Sequence, residues 1–262
     1  MKISWERQIE RTDKLAERSD GAKELLIFYG QLLRLQKEIY DFLRRRKDWR
    51  PSGRLEPDLH VIRRMMPKLL ALVEARGPDV LASEAHSLRQ AGESAIDALL
   101  LTYWQSPSDV QFFAKAFLQP YARWLAETDT KPADRNIGSG ENRCPFCGGK
   151  PQLTFLQTSE PSSDSGGRNL ICATCLTAWP FRRVVCAQCG EERPPKLGYF
   201  HSPQYDHVRV EACETCKHYI KGIDLTRLGL AVPLVDEVAA APLDLWASEH
   251  GYTKIELNLV GL

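Results

Sequence analysis

A chain of 262 residues, 43% hydrophobic and 26% charged, is long enough to bury a substantial core and falls naturally into two domains. That balance excludes a collagen, a wholly disordered chain and a membrane channel, and no run of about 18 apolar residues offers a membrane span. With 35 Lys+Arg against 34 Asp+Glu the net charge is +1, which argues against a broad electrostatic platform for nucleic acid.

Residues 1–128 read as a helical domain. A first helix is expected over Trp5–Arg18. Asp20 is placed to cap a long second one, in which Leu25, Phe28, Leu32, Leu35, Ile39, Phe42 and Leu43 recur near helical spacing. Pro51, Gly53 and Pro57 interrupt the chain, and Asp58–Arg76 is helical again, with Pro67 opening a new segment. Gly77-Pro78 is a stop; Pro78–Ala91 and Glu93–Gln105 follow as two helices. Ser106-Pro107 opens a last helix to about Thr128, carrying Val110, Phe113, Phe117, Tyr121 and Trp124 as a core-facing stripe. The Arg44-Arg45-Arg46-Lys47 run reads as a solvated helix end, where cations meet the carboxyl terminus of the dipole.

Residues 129–143, polar with Pro and Gly, read as a linker, and Thr158–Arg168 as the tip of a hairpin. The tail, 223–262, holds a Pro-bounded turn, a short helix near Leu243–His250 and a strand over Lys254–Leu259, apolar enough to pack back onto the domains.

Between linker and tail lie all eight cysteines: Cys144, Cys147, Cys172, Cys175, Cys186, Cys189, Cys213 and Cys216. Each belongs to a C-x-x-C pair, a regularity foreign to disulfide scaffolds. The charged N-terminus carries no apolar signal segment, so a reducing cytoplasm is expected. Two cysteines two residues apart sit on a tight knuckle, so both sulfurs reach one ion, and a glycine after the second supplies the positive φ of the turn. Two knuckles at the ends of a β-hairpin close a tetrahedral four-sulfur site that suits zinc or iron.

An internal repeat indicates how the knuckles pair. CPFCGGKPQLTF with RNLICATC is matched by CAQCGEERPPKLGYF with RVEACETC, the gaps between pairs being 24 and 23 residues. The expectation is one site from Cys144, Cys147, Cys172 and Cys175 within residues 144–184. The second comes from Cys186, Cys189, Cys213 and Cys216 within 185–222. A nested arrangement is the rival. His201, His207 and His218 lie near the second unit but are expected at the surface. The fold class is therefore α plus small β: a helical domain followed by two tandem zinc-ribbon-like or rubredoxin-like metal units.

Other chemistries fare worse. Thioredoxin-type catalysis needs a βαβ context that is missing. No Gly-rich phosphate loop, nucleophile elbow or H-E-x-x-H motif occurs, so no enzyme activity is expected. From residue 141 onward there are 12 Lys+Arg against 14 Asp+Glu, which counts against a nucleic-acid ribbon, although a zinc-ribbon adaptor for nucleic acid or a transcription-associated partner is the alternative reading. Arg143, Arg168, Arg182, Arg183 and Arg209 are expected to offset the formal −2 that a divalent ion and four thiolates carry together.

The ordered series CPFCG, C-x-T-C with Trp179, Arg182 or Arg183, CAQCG, C-x-T-C and Tyr219-Ile220-Lys221 with Asp224 resembles the formate dehydrogenase accessory protein family, FdhE. The tail Pro242-Leu243-Asp244-Leu245-Trp246-Ala247, then Gly251-Tyr252, is similar to that family's end. The resemblance implies a cytoplasmic maturation factor that engages the catalytic subunit of respiratory formate dehydrogenase before its export. It also implies rubredoxin-like, iron-associated cysteine motifs, with the eight cysteines as ligands of two metal ions, iron or zinc, and no catalytic residue. Self-association is left open.

Overall fold

The computed structural model describes residues 4–18, 21–107, 110–135, 140–158 and 167–262. Helix α1 (Trp5–Arg18) is opened by Ser4, whose Oγ accepts from the Arg7 N–H at 3.4 Å, and buries Trp5, Gln8, Thr12 and Ala16 on one face. Its long neighbour α2 (Lys23–Arg45) buries Leu26, Leu32, Leu33, Ile39 and Leu43. The cap expected from Asp20 lies outside the described residues. Arg44, Arg45 and Lys47 are exposed at the carboxyl end of α2, in keeping with a solvated terminus.

Helix α3 (Leu55–Ile62) starts earlier than the proline-rich segment suggests and passes through a 3-10 turn at Arg63–Met65 into α4 (Met66–Arg76), where Pro67 occupies the first turn. Helix α5 (Asp79–Gln105) is broken at Gly92, with φ 80° and ψ −176°, which divides it into the two segments the sequence suggests. The last helix, α6 (Phe112–Glu127), begins later than expected. Val110 therefore leaves the apolar stripe and is 86% exposed, while Phe113, Phe117, Tyr121 and Trp124 are buried in the core. Among the described residues no helix is long and apolar enough to cross a membrane.

After the linker the chain builds one sheet. Its strands are β1 (Pro151–Leu156), β2 (Arg168–Cys172), β3 (Ala178–Pro180), β4 (Leu197–His201), β5 (Val208–Cys213), β6 (His218–Asp224) and the short β7 (Thr253–Lys254). The order is β3-β2-β1-β6-β5-β4, with β7 against β6. Each repeat contributes an antiparallel triplet: β1, β2 and β3 from the first, β4, β5 and β6 from the second. The triplets join where β1 runs parallel to β6, Leu153 opposite Lys221 through Leu156 opposite Asp224. β1 and β2 are buried along their whole length, as strands covered on both faces must be.

The tail contributes α7 (Pro233–Ala239), which the sequence reading did not separate from a turn, and α8 (Ala241–Glu249). The strand expected over Lys254–Leu259 is reduced to β7. Beyond it Asn258 turns the chain, its Oδ1 accepting from the N–H groups of Val260 and Leu262 at 3.0 and 3.1 Å, and Gly261 takes a positive φ of 81°.

These tail elements lock sheet to helices through charge. Lys221 and Lys254 are buried against Glu237 and Asp244. Lys221 Nζ lies 3.2 Å from Glu237, Lys254 Nζ lies 3.1 Å from Asp244, and the two other cross-contacts are closer. Asn258 and Tyr219 donate to the two carboxylates at 2.9 and 2.8 Å. Toward the helices, Arg11 holds Asp236 bidentately and Lys115 pairs with Glu256 at 3.0 Å.

Candidate metal centres

Each knuckle is a tight turn closed by its own backbone. In the first, the Gly148 N–H donates to Cys144 O at 2.9 Å and the Cys144 N–H to Gly149 O at 3.0 Å. The second copy repeats both bonds, Gly190 to Cys186 and Cys186 to Glu191. In the C-x-T-C knuckles the Leu176 N–H donates to Cys172 O and the Lys217 N–H to Cys213 O. The residue after the second cysteine is left-handed in all four: Gly148 (φ 70°), Leu176 (φ 59°), Gly190 (φ 76°) and Lys217 (φ 56°). Glycine meets that requirement twice without strain; Leu176 and Lys217 meet it at a cost, held by the turn around them.

The triplets bring the knuckles together in sequence order, not nested. Cys144, Cys147, Cys172 and Cys175 form one group and Cys186, Cys189, Cys213 and Cys216 the other. In the first group Sγ atoms lie 3.5 Å apart for Cys144–Cys175 and Cys147–Cys172, and 3.4 Å for Cys147–Cys175. In the second, Cys186–Cys216 and Cys189–Cys213 are each 3.7 Å apart. These separations are far longer than a disulfide bond and all eight thiols are free. A metal with about 2.3 Å bonds to four tetrahedral sulfurs would set their edges at about 3.8 Å, so both groups fit such an ion with little adjustment.

The electrostatics favour a cation as well. Burial pushes the Cys175 thiol well up, and the neighbouring sulfurs push it further. Burial likewise raises Cys186 to about 11 and lifts Cys216. Four sulfurs this close cannot all ionise unless a positive ion shares the site. Backbone donors are already aimed at them: the Thr174 N–H points to Cys172 Sγ at 3.3 Å and the Gln188 N–H to Cys186 Sγ at 3.4 Å. Each four-cysteine group can therefore hold one metal ion.

The histidines stay out of both groups. His207 faces Asp236 at 2.8 Å, and His218 donates a ring N–H to Cys216 O at 2.7 Å. Three of the five arginines assigned to the sulfurs, Arg168, Arg182 and Arg209, pair with carboxylates. Arg168, 2% exposed, donates to Glu211 at 2.6 Å and to the carbonyls of Arg182 and Val185. Arg209 pairs with the same Glu211, and Arg182 pairs with Glu141 and Glu192. A carboxylate next to each of these three guanidinium groups takes the charge that sequence proximity assigned to the metal. Sequence reasoning also missed Gly149, although the doubled glycine of C-x-x-C-G-G was visible; an ideal Cβ there would lie 2.8 Å from Cys172 Sγ.

A helical domain joined to one sheet that carries two four-sulfur groups defines a zinc-ribbon-like double metal-site protein. Comparison with known proteins makes this narrower. The family description "FdhE, C-terminal domain" matches residues 184–260. "Protein FdhE homolog" of Aquifex aeolicus is 34% identical over 196 residues, 74% of this chain and 68% of that one. The homolog of Shewanella oneidensis is 27% identical over 193 residues, 74% of this chain and 59% of its own length. "Protein FdhE" of Escherichia coli O157:H7 is 26% identical across 98% of this chain and 88% of that one. The crystal structure of the FdhE protein from Pseudomonas aeruginosa shares the fold, with a TM-score of 0.68 at 24% identity over 98% of this chain and 95% of that one. The chain belongs to the FdhE family.

Proposed function

We propose that this protein is a non-catalytic accessory factor for formate dehydrogenase, acting in the cytoplasm on the catalytic subunit before export. The eight cysteines hold two metal ions, iron or zinc, one in each four-sulfur group. The observation that carries the reading is the assembly of both four-cysteine groups in a chain that belongs to the FdhE family. The division into a helical part (1–128), a linker (129–143), two metal units (144–184 and 185–222) and a tail (223–262) gives the client a surface with two kinds of wall. Cysteines committed to metal leave no thiol nucleophile for a reaction on formate. A four-sulfur site holding iron exchanges one electron with little ligand movement, whereas zinc in the same frame supports shape alone.

The test is a pull-down from the native host under reducing, oxygen-free conditions, with metal analysis of the purified protein. Recovery of the formate dehydrogenase catalytic subunit with an affinity of about micromolar, together with no turnover of formate by the protein alone, is the expected result. Recovery of DNA or RNA in preference to that subunit would favour the ribbon adaptor and overturn the proposal.

A further inference from the structure

The internal repeat makes each four-cysteine group a control for the other. The C-x-x-C knuckles and their hydrogen bonds are the same, and the spacing differs by one residue; the surroundings are not alike. In the first group every cysteine is at most 1% exposed. The helical domain closes over it: Gln119 of α6 donates to Ala173 O at 2.9 Å, inside the Cys172–Cys175 knuckle, and is itself met by Gln36 of α2 at 3.2 Å. Gly149 packs so tightly over Cys172 and Thr174 that no side chain fits there.

Among the described residues, no such helical-domain hydrogen bond reaches the second group. Cys186 and Cys213 are buried at 8% and 2%, but Cys189 is exposed and Cys216 is partly exposed. The knuckle tips around them, Gly190 and Glu214 to Lys217, lie mostly at the surface, and a Cβ built on Gly190 meets nothing within 4 Å. At the repeat position of Gly149 the second unit carries Glu191, whose carboxylate accepts from Thr215 Oγ1 at 2.6 Å. What is a close-packed glycine in one unit is room for a glutamate in the other.

We propose that the second four-cysteine group is the exchange centre of the protein, and that the first is a fixed structural centre. A metal at the second site is open to an incoming sulfur, nitrogen or oxygen donor on the Cys189–Cys216 side, so it can be handed over or replaced while the first metal stays. Ligand replacement at such a site would form a bond from the incoming donor to the ion as a metal–thiolate bond to Cys189 or Cys216 breaks and the released thiolate takes a proton from water; the first site gives that donor no path. This rests on the reading that both groups hold metal.

The experiment uses the full chain loaded with two equivalents of Co²⁺, whose thiolate absorption reports occupancy, and EDTA as the competing donor. Release is expected in two phases of one equivalent each, the first faster by about ten-fold or more. Cys189→Ser should remove the fast phase and keep the slow one. On the unaltered protein, brief iodoacetamide treatment followed by peptide mapping should label Cys189 and Cys216 before any of Cys144, Cys147, Cys172 and Cys175. This mapping decides the matter even if the variant does not fold. A single release phase, a fast phase that survives Cys189→Ser, or early labelling of the first four cysteines overturns the proposal. Failure to load two equivalents would instead overturn the two-metal reading beneath it.

Discussion

Gly149 and Cys172 are in direct opposition across the first metal group: a Cβ on Gly149 would lie 2.8 Å from Cys172 Sγ and 2.9 Å from Thr174 Oγ1. A methyl group there must displace a sulfur that three other sulfurs need in place. Gly149→Ala is therefore expected to weaken metal binding at the first site and leave the second intact. Gly190→Ala meets open space and costs only the strain of its positive φ, about 1 kcal/mol, without metal loss. Metal content of the two variants, measured by mass spectrometry of the native proteins, checks the contrast.

Chelation should loosen the sheet before the helices. Metal binding in small cysteine sites is worth on the order of 10–16 kcal/mol, much of it folding energy, whereas α2 and α6 bury long apolar faces that no metal holds in place. Amide exchange across residues 144–220 is expected to accelerate on metal removal while protection in α2 and α6 persists. Unchanged exchange in 144–220 would show that the metals do not hold the sheet.

The buried pairs of Lys221 and Lys254 with Glu237 and Asp244 predict a defined acid response. Burial alone would raise Glu237, but the two lysines hold it down to about 2. Its folded value lies below the ordinary 4.5, so its contribution is complete above pH 4.5 and is lost as pH falls toward about 2. Glu237→Gln leaves Asp244 alone against two buried cations, one positive charge uncompensated, and should cost about 3–5 kcal/mol near neutral pH. Denaturation curves of the two proteins should converge as pH drops through that window; a gap that persists at pH 2 counts against the assignment. Loss of thiolate–metal bonds in acid is common to both and cancels in the comparison.

Arg168 predicts a further loss. Its guanidinium bridges Glu211 on β5 to the Arg182 and Val185 carbonyls and lies 5.1 Å over the Phe181 ring, tying β2 to the segment that leads into the second knuckle. Arg168→Met is expected to cost about 3 kcal/mol, since Arg209 still neutralises Glu211 but the two carbonyls lose their donor. Arg168→Lys should recover little, because one ammonium cannot span the fork. Melting temperatures at fixed metal load measure both.

The sequence by itself determined the helical and cysteine-rich parts, the tight knuckles and the sequential grouping of Cys144–Cys175 and Cys186–Cys216. These depend on local spacing and on a repeat that is visible in the letters. It also placed Phe113, Phe117, Tyr121 and Trp124 in the core, because helical periodicity carries burial. Only the tertiary structure decided that the repeats share one sheet through β1 and β6, because strand pairing between residues some 68 positions apart leaves no local trace. It alone shortened the expected final strand to Thr253–Lys254, assigned Arg168 and Arg209 to Glu211, and buried one sulfur group whole while leaving Cys189 and part of Cys216 of the other at the surface. Each of these is set by what packs against a residue from a distant part of the chain, and two copies of one motif cannot differ in surroundings until the rest of the molecule has folded around them.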